Sequence, residues 1–266
     1  MGRSLPLLLV VPHGGCEVPD EFSGYENLST HDIFFESDSG ANTIFNSTAA
    51  AEQPVITAIS RLFVDPDREF SQLHPKTTDG VIKTRTSMNR DVFKKNCYPD
   101  EIAISNILDR YYFPFHESVR AAVNRRKTRM IIECHTHAAV GPLNSSDAGL
   151  PRPLVVTGYT QQTAPGFNTA AAVSAANELS AIIGRLMMKE GDTVTERFRT
   201  ECYDSGGYIM KIYGASLPVI YLSVSRALFL NDRDFSLDDL VIDQGRLSRL
   251  GKIINSGLEK FCTKFF

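Results

Sequence analysis

From Leu7 to Val11 the chain carries five aliphatic residues in unbroken succession, and the run stops at Pro12-His13-Gly14-Gly15. A strand with one wet face alternates apolar and polar residues; an unbroken run is buried on both faces and calls for helices above and below it. The same demand recurs down the chain. The spacing of Ala41, Ile44, Phe45 and Ala49 predicts a helix from Asp38 to Ala51, and Pro54-Val-Ile-Thr-Ala-Ile then supplies a second strand. Asp100 is placed to cap a helix carrying Ile102, Ile104, Ile107, Leu108, Tyr111 and Tyr112, which Pro114 should kink or divide. A strand follows from Met130 to Cys134, then an alanine-rich helix from Thr169 to Glu190 ended by Gly191. After Gly206-Gly207 and an apolar Tyr-Ile-Met-Lys-Ile-Tyr-Gly run come a strand from Pro218 to Val224 and a closing helix from about Leu237 to Phe261. This order predicts an α/β fold of three layers, an open, mostly parallel sheet with helices on both faces. No shift in composition divides residues 1–266, so a single domain is expected. The polar stretch from Arg68 to Pro99, with His74-Pro75 and Asp79-Gly80, is expected to be a long surface excursion.

At 42% hydrophobic and 22% charged residues the chain can build a sizeable core without staples. A formal charge of −3 supplies no basic field to neutralise phosphates or anionic lipid, so neither nucleic acid nor membrane is an expected partner. No apolar stretch approaches the roughly 20 residues that span a bilayer, and the first residues lack a small-residue cleavage site. The five cysteines are odd in number and contain no CxxC pair, which argues against a disulfide framework. A cytoplasmic protein is expected.

His13 and His135 each follow an apolar strand directly, and side chains at such ends converge at one edge of an open sheet. Either histidine alone could simply bond loop backbone; the shared setting makes the pair a candidate metal site. Imidazole and carboxylate suit zinc, and a hydrolytic centre with one Zn2+ needs three protein ligands and an open position for water. Asp38 and Glu36 are the nearby carboxylates able to complete the set. If the strand after Met130 runs far enough, Glu133, His135 and His137 share one face of it. Glu133 could orient an imidazole, act as general base or pair with an arginine. His137 could stabilise an oxyanion or be an ordinary loop histidine. The cationic candidates are Arg61, Arg68, Arg85, Arg90 and Arg226, whose planar forks would suit a carboxylate-bearing substrate. His31, His74 and His116 are expected to be structural, and Cys16 is a weaker candidate nucleophile or ligand. Neither a G-x-S-x-G elbow nor a Walker A loop is present.

The segments VVPHGGCEVP, ESDSGA, SRLFVDPDRE, YYFPFHESV, IIECHTHA, SGGYI and YLSVSRALFL, taken in order, resemble the N-formylglutamate amidohydrolase family across nearly the whole chain. The resemblance implies a zinc-exopeptidase-like fold and hydrolysis of the amide bond of an N-acyl amino acid such as N-formylglutamate. It also implies His13, His135 and Asp38 as metal ligands, with Glu36 a rival carboxylate, and Arg68 as a substrate-side cation; among the other cationic candidates, Arg90 in the same polar loop is expected to bind substrate with it. Two departures stand out. Ser223 occupies the place of a glutamate in the last strand, and Asp67 precedes Arg68 where the family pattern is D-x-N-R. Glu133, Glu196 or Glu201 could stand in for the lost carboxylate. The alternatives to this reading are an inactive relative that binds metal or ligand, and a zinc peptidase or amidase with another substrate.

Overall fold

The run Leu7–Val11 forms strand β1 in the computed structural model, and all of its side chains are fully buried. The structure describes residues 4–46, 50, 52–125, 127–143, 145–160, 164–189, 198–202 (backbone) and 207–266. Glu190, Gly191, Glu196, Gly206 and the side chain of Glu201 lie outside the described residues. After β1 come α1 (Thr30–Glu36), α2 (Ala41–Ile44), β2 (Val55–Ile56), α3 (Glu101–Ile107), α4 (Phe113–Asn124) and β3 (Met130–His137). The second half holds β4 (Val155–Tyr159), α5 (Thr169–Lys189), β5 (Phe198–Cys202), α6 (Tyr208–Tyr213), β6 (Val219–Ser225), the short pair β7 (Phe235–Ser236) and β8 (Val241–Ile242), and α7 (Gln244–Phe265).

Six strands form one sheet in the order β2-β1-β3-β6-β4-β5. All neighbours are parallel except β4 and β6, which run antiparallel. Alternate residues of β1 serve opposite layers. Leu7, Leu9 and Val11 pack with residues of α2, α5 and α7, whereas Leu8 and Val10 pack with α4 and α6. The structure is therefore a three-layer α/β fold, and the unbroken aliphatic run is its direct cause.

Several elements differ from their sequence expectations for local reasons. The helix expected from Asp38 is confined to Ala41–Ile44, because Gly40 takes φ 82° and Asp38 is held back as a loop residue, its amide donating to the His13 carbonyl at 2.8 Å. The strand expected from Pro54 shortens to Val55–Ile56 at the sheet edge, and the closing helix begins at Gln244, capped by the Asp243 carboxylate. The apolar run after Gly207 is a helix, α6. Between α3 and α4 the chain passes through a π-helical turn, Leu108–Tyr112, so Pro114 sits in the first turn of α4, where no amide is required of it. The 68–99 stretch is not a pure surface excursion. Val81, Ile82, Val92 and Phe93 are buried with Phe22, Phe63 and Tyr112 in a second core beside the sheet. No helix among the described residues is long and apolar enough to cross a membrane.

The Pro-His-Gly-Gly loop leaves β1 with almost no space around it. A Cβ on Gly15 would lie 2.2 Å from the Ala58 carbonyl carbon and 2.3 Å from its oxygen, backbone atoms that cannot swing aside. Gly15→Ala is expected to cost about 1–3 kcal/mol and to lower Tm by several degrees in a thermal melt. A Tm within a degree of the parent would show that the loop relaxes freely.

Candidate functional site

Strand β3 runs three residues beyond the sequence expectation, to His137, and this extension sets the alternation. Met130, Ile132 and Cys134 face the core with α5 and α7, so Glu133, His135 and His137 are directed to the other face. Register with β6 places His135 opposite Ser223 and His137 opposite Ser225. Tyr221 stacks on the His135 ring at 4.7 Å between centroids.

The loop after β1 and the turn between α1 and α2 bring His13 and Asp38 to the same edge. One donor atom from each of His13, Asp38 and His135 lies within 4.8 Å of the others, and all three residues are buried. His13 donates from Nε2 to Asp65 Oδ1 at 2.7 Å, which leaves its Nδ1 as a lone pair. That Nδ1 is buried without a hydrogen-bond partner, 3.9 Å from Asp38 Oδ2. The same Asp38 oxygen accepts from His135 Nδ1 at 2.9 Å, while His135 Nε2 donates to Glu133 Oε1 at 2.9 Å. Two imidazoles and a carboxylate converging with an orphaned nitrogen among them fit a divalent metal, and the donor set is one that zinc takes.

Electrostatics around the group follow from burial and pairing. Burial pulls the His13 pKa down to about 4, and the neighbouring Arg61 charge adds to the fall, so its imidazole is neutral near pH 7. Burial works in the same direction on His135, but hydrogen bonds to Asp38 and Glu133 override it and push the value up to about 10. Asp65 pays the desolvation of a fully buried carboxylate, yet His13, Lys83 and Arg61 together hold it well below the usual range. Its Oδ2 pairs with Lys83 at 3.0 Å and Arg61 at 3.2 Å. Asp67 goes the opposite way: burial, with Glu133 and Asp65 close by, raises its carboxyl well above the usual range. Asp67 Oδ1 accepts from the Ile209 amide at 2.8 Å, and a Cβ on Gly207 would lie 1.8 Å from Oδ2. Glycine is the residue that lets this carboxyl sit at the mouth of α6.

A single cleft gathers His13, Glu36, Asp38, Arg68, Glu133, His135 and His137. Glu36 is engaged elsewhere within it, accepting from the Ser87 amide at 3.0 Å and the Ser87 hydroxyl at 2.7 Å. Arg68 has every nitrogen in use, Nε on the Asp79 carbonyl, Nη2 on the Asp79 carboxylate and Nη1 on the Asp67 carbonyl. Arg90 pairs with Asp32 and is not among the residues lining the cleft. His137 donates from Nε2 to the Pro153 carbonyl at 2.8 Å and accepts at Nδ1 from Ser223 Oγ at 2.7 Å. Burial lowers its pKa to about 4, and the hydrogen bond to Pro153 only partly offsets this. His116 bonds Tyr213 and the Pro66 carbonyl away from the triad.

Sequence reasoning missed Asp65, Lys83, Asp67 and Tyr221. The repeated acidic residues of Val-Asp-Pro-Asp-Arg after an apolar stretch were the available signal for the first and third. Lys83 carried none, because its role comes from a loop folding back onto Asp65.

An open α/β sheet with a buried His-Asp-His group at one edge defines the class: an α/β protein with a candidate metal centre. The chain belongs to the N-formylglutamate amidohydrolase family, whose model matches residues 5–230. Among solved structures it is similar to an N-formylglutamate amidohydrolase of Ralstonia eutropha JMP134, with a TM-score of 0.67 and 15% identity over 99% of this chain and 96% of that one. A gene product of Agrobacterium tumefaciens gives a TM-score of 0.61 and 14% identity over 98% and 92% of the two chains. At such identities the likeness is one of fold. No curated protein matches the sequence.

Because His135 carries a proton on each ring nitrogen up to a pKa of about 10, a metal must displace one of them. Zinc uptake by metal-free protein is expected to release about one proton near pH 7 and to tighten about tenfold per unit from pH 6 to 8. Calorimetry in buffers of different ionisation heat reads both. Uptake that ignores pH, or that survives His135→Ala unchanged, would contradict this assignment.

Proposed function

We propose that the protein is a zinc-dependent amidohydrolase that cleaves the C–N bond of an N-acyl amino acid of the N-formylglutamate kind. The observation that carries this reading is the buried His13-Asp38-His135 group with its orphaned Nδ1, in a chain of the N-formylglutamate amidohydrolase family. On this reading one Zn2+ is held by His13, Asp38 and His135, with Glu36 beside them in the cleft. The zinc supplies Lewis acidity and draws the pKa of water down toward roughly 7. Its partner is a small carboxylate-bearing amide, and residues 1–266 act as one domain. A cytoplasmic setting agrees with Cys16, Cys97, Cys134 and Cys262 being free thiols.

The residues divide the remaining work. Asp65 fixes the His13 tautomer so that Nδ1 faces the metal position, and Glu133 orients His135 from its far nitrogen. When the C–N bond breaks, the departing amine needs a proton. Asp67 holds one on a carboxyl raised well above the usual range and opens onto the cleft, so we assign it the general-acid role. His137 has both nitrogens engaged within the protein and is assigned to holding the Pro153 loop, with oxyanion contact requiring release of one of those bonds.

The second reading, an inactive relative, is favoured by Ser223, which stands where a glutamate is expected and is committed to His137. Zinc-loaded protein assayed on N-formyl, N-acetyl and peptide substrates separates the two. Release of free amino acid from N-formyl substrates is expected, abolished by His135→Ala. Asp67→Asn should lower kcat about 10²–10⁴-fold at unchanged zinc content. Absence of turnover across the panel at full zinc occupancy would favour the inactive reading.

A further inference from the structure

Among the described residues five arginines line the cleft: Arg61, Arg68, Arg85, Arg152 and Arg226. Four are matched to carboxylates, Arg61 to Asp65 at 3.2 Å, Arg68 to Asp79 at 2.8 Å, Arg85 to Asp91 at 3.1 Å and Arg152 to Asp147 at 2.7 Å. Among the described residues, no carboxylate lies within ion-pair distance of Arg226. Its Nη1 donates to the Phe35 carbonyl at 2.6 Å and to the Ser37 carbonyl at 2.9 Å, and its Nε is buried with no partner. The guanidinium is thus pinned by one corner while its Nε–Nη2 edge is left over. That edge is the one a carboxylate takes with two parallel hydrogen bonds.

We propose that Arg226 receives the carboxylate of the substrate, side-on through Nε and Nη2, and so selects N-acyl amino acids over neutral amides. The inference rests on the N-acyl amino acid reading above and gives that substrate its anchor. Arg226 is only partly exposed and feels the Asp38 and Glu36 carboxylates from beyond ion-pair distance, so a substrate anion would complete its pairing, whereas Arg68 is already saturated by Asp79 and the Asp67 carbonyl. The two carbonyls holding Nη1 flank Glu36 and lead directly into Asp38, at the turn that carries the metal-site carboxylate. A carboxylate clamped at Arg226 is therefore held at a fixed offset from the His13-Asp38-His135 group, as productive placement of an amide requires. Pinning Nη1 before the ligand arrives also reduces the ordering that binding must supply.

The test compares N-acetylglycine with N-acetylglycinamide, which differ only in the carboxylate, as ligands of wild type, Arg226→Lys and Arg226→Gln. Each protein is titrated zinc-loaded and zinc-free, with zinc content and thermal stability measured in parallel. Wild type is expected to prefer the acid by about 30-fold, and to keep a preference without zinc, where no metal can take the carboxylate. Arg226→Gln should erase the preference and leave affinity for the amide unchanged. Arg226→Lys retains the charge and a donor for the two carbonyls but lacks the fork; it should keep its zinc and fold and lose most of the preference, and it decides the matter if the glutamine variant is unstable. A preference that persists in Arg226→Lys, or that vanishes only together with zinc and stability, overturns the proposal. Wild type that shows the Arg226-dependent preference but hydrolyses no N-formyl substrate would sink the hydrolase reading alone; hydrolysis with an unaltered preference in the lysine variant would sink this one alone.

Discussion

Asp65 is fully buried, and its two carboxylate oxygens serve four donors: His13 Nε2 and the Asp67 amide on one, Arg61 and Lys83 on the other. A lone carboxylate in such a place would cost several kcal/mol, so the charge persists only because two cations and two further donors converge on it. The convergence orders much of the site. It fixes the tautomer of His13 and leaves Nδ1 turned toward Asp38. It draws the 68–99 stretch back over the second core through Lys83, which also pairs with Asp79, and Asp79 in turn holds Arg68. Through the Asp67 amide it places a carboxyl of the cleft that burial, with Glu133 and Asp65 close by, raises well above the usual range.

On the other side of the candidate metal position, His135 has a different kind of restraint. It is clasped between Asp38 and Glu133 and covered by the Tyr221 ring. One imidazole is neutral with a free lone pair and the other is doubly protonated. A cation entering between them meets an acceptor that is ready and one that must first give up a proton.

The sheet was legible where burial on both faces leaves a signature, as at β1 and the opening Met130-Ile-Ile of β3, because both stretches are unbroken apolar runs. Strand β4 was not, since Pro151-Arg152-Pro153 before it and the polar Thr160 after it read as loop, and β5 was missed with it. His13, Asp38 and His135 were readable as candidates because they stand at the ends of apolar strands or at the neighbouring helix start. The environment of Asp67 was not, because its carboxyl is raised by burial together with Glu133 from β3 and Asp65, while Ile209 from α6 supplies the amide. Arg68 and Arg226 look alike in sequence. Arg68 has an acceptor on every nitrogen, whereas Arg226 has acceptors on Nη1 and a buried Nε without one, and that difference is created by the folding of residues 35–37 and 79 around them.

The reversal of β4 has a consequence for how this protein can diverge. In a fully parallel sheet, a strand beside β6 would end at the edge where the His13-Asp38-His135 group lies; because β4 runs the other way, it begins there, and the Pro153 carbonyl meets His137. The segment leaving β3 therefore starts and finishes at the cleft, with lining residues from Ala138 to Pro142 at one end and Arg152 at the other. Insertions or deletions in that excursion could reshape the rim while the ladder between β3 and β6 stays in register. The rim of the cleft can change through one connection that crosses over β6, with the buried charge cluster inherited intact.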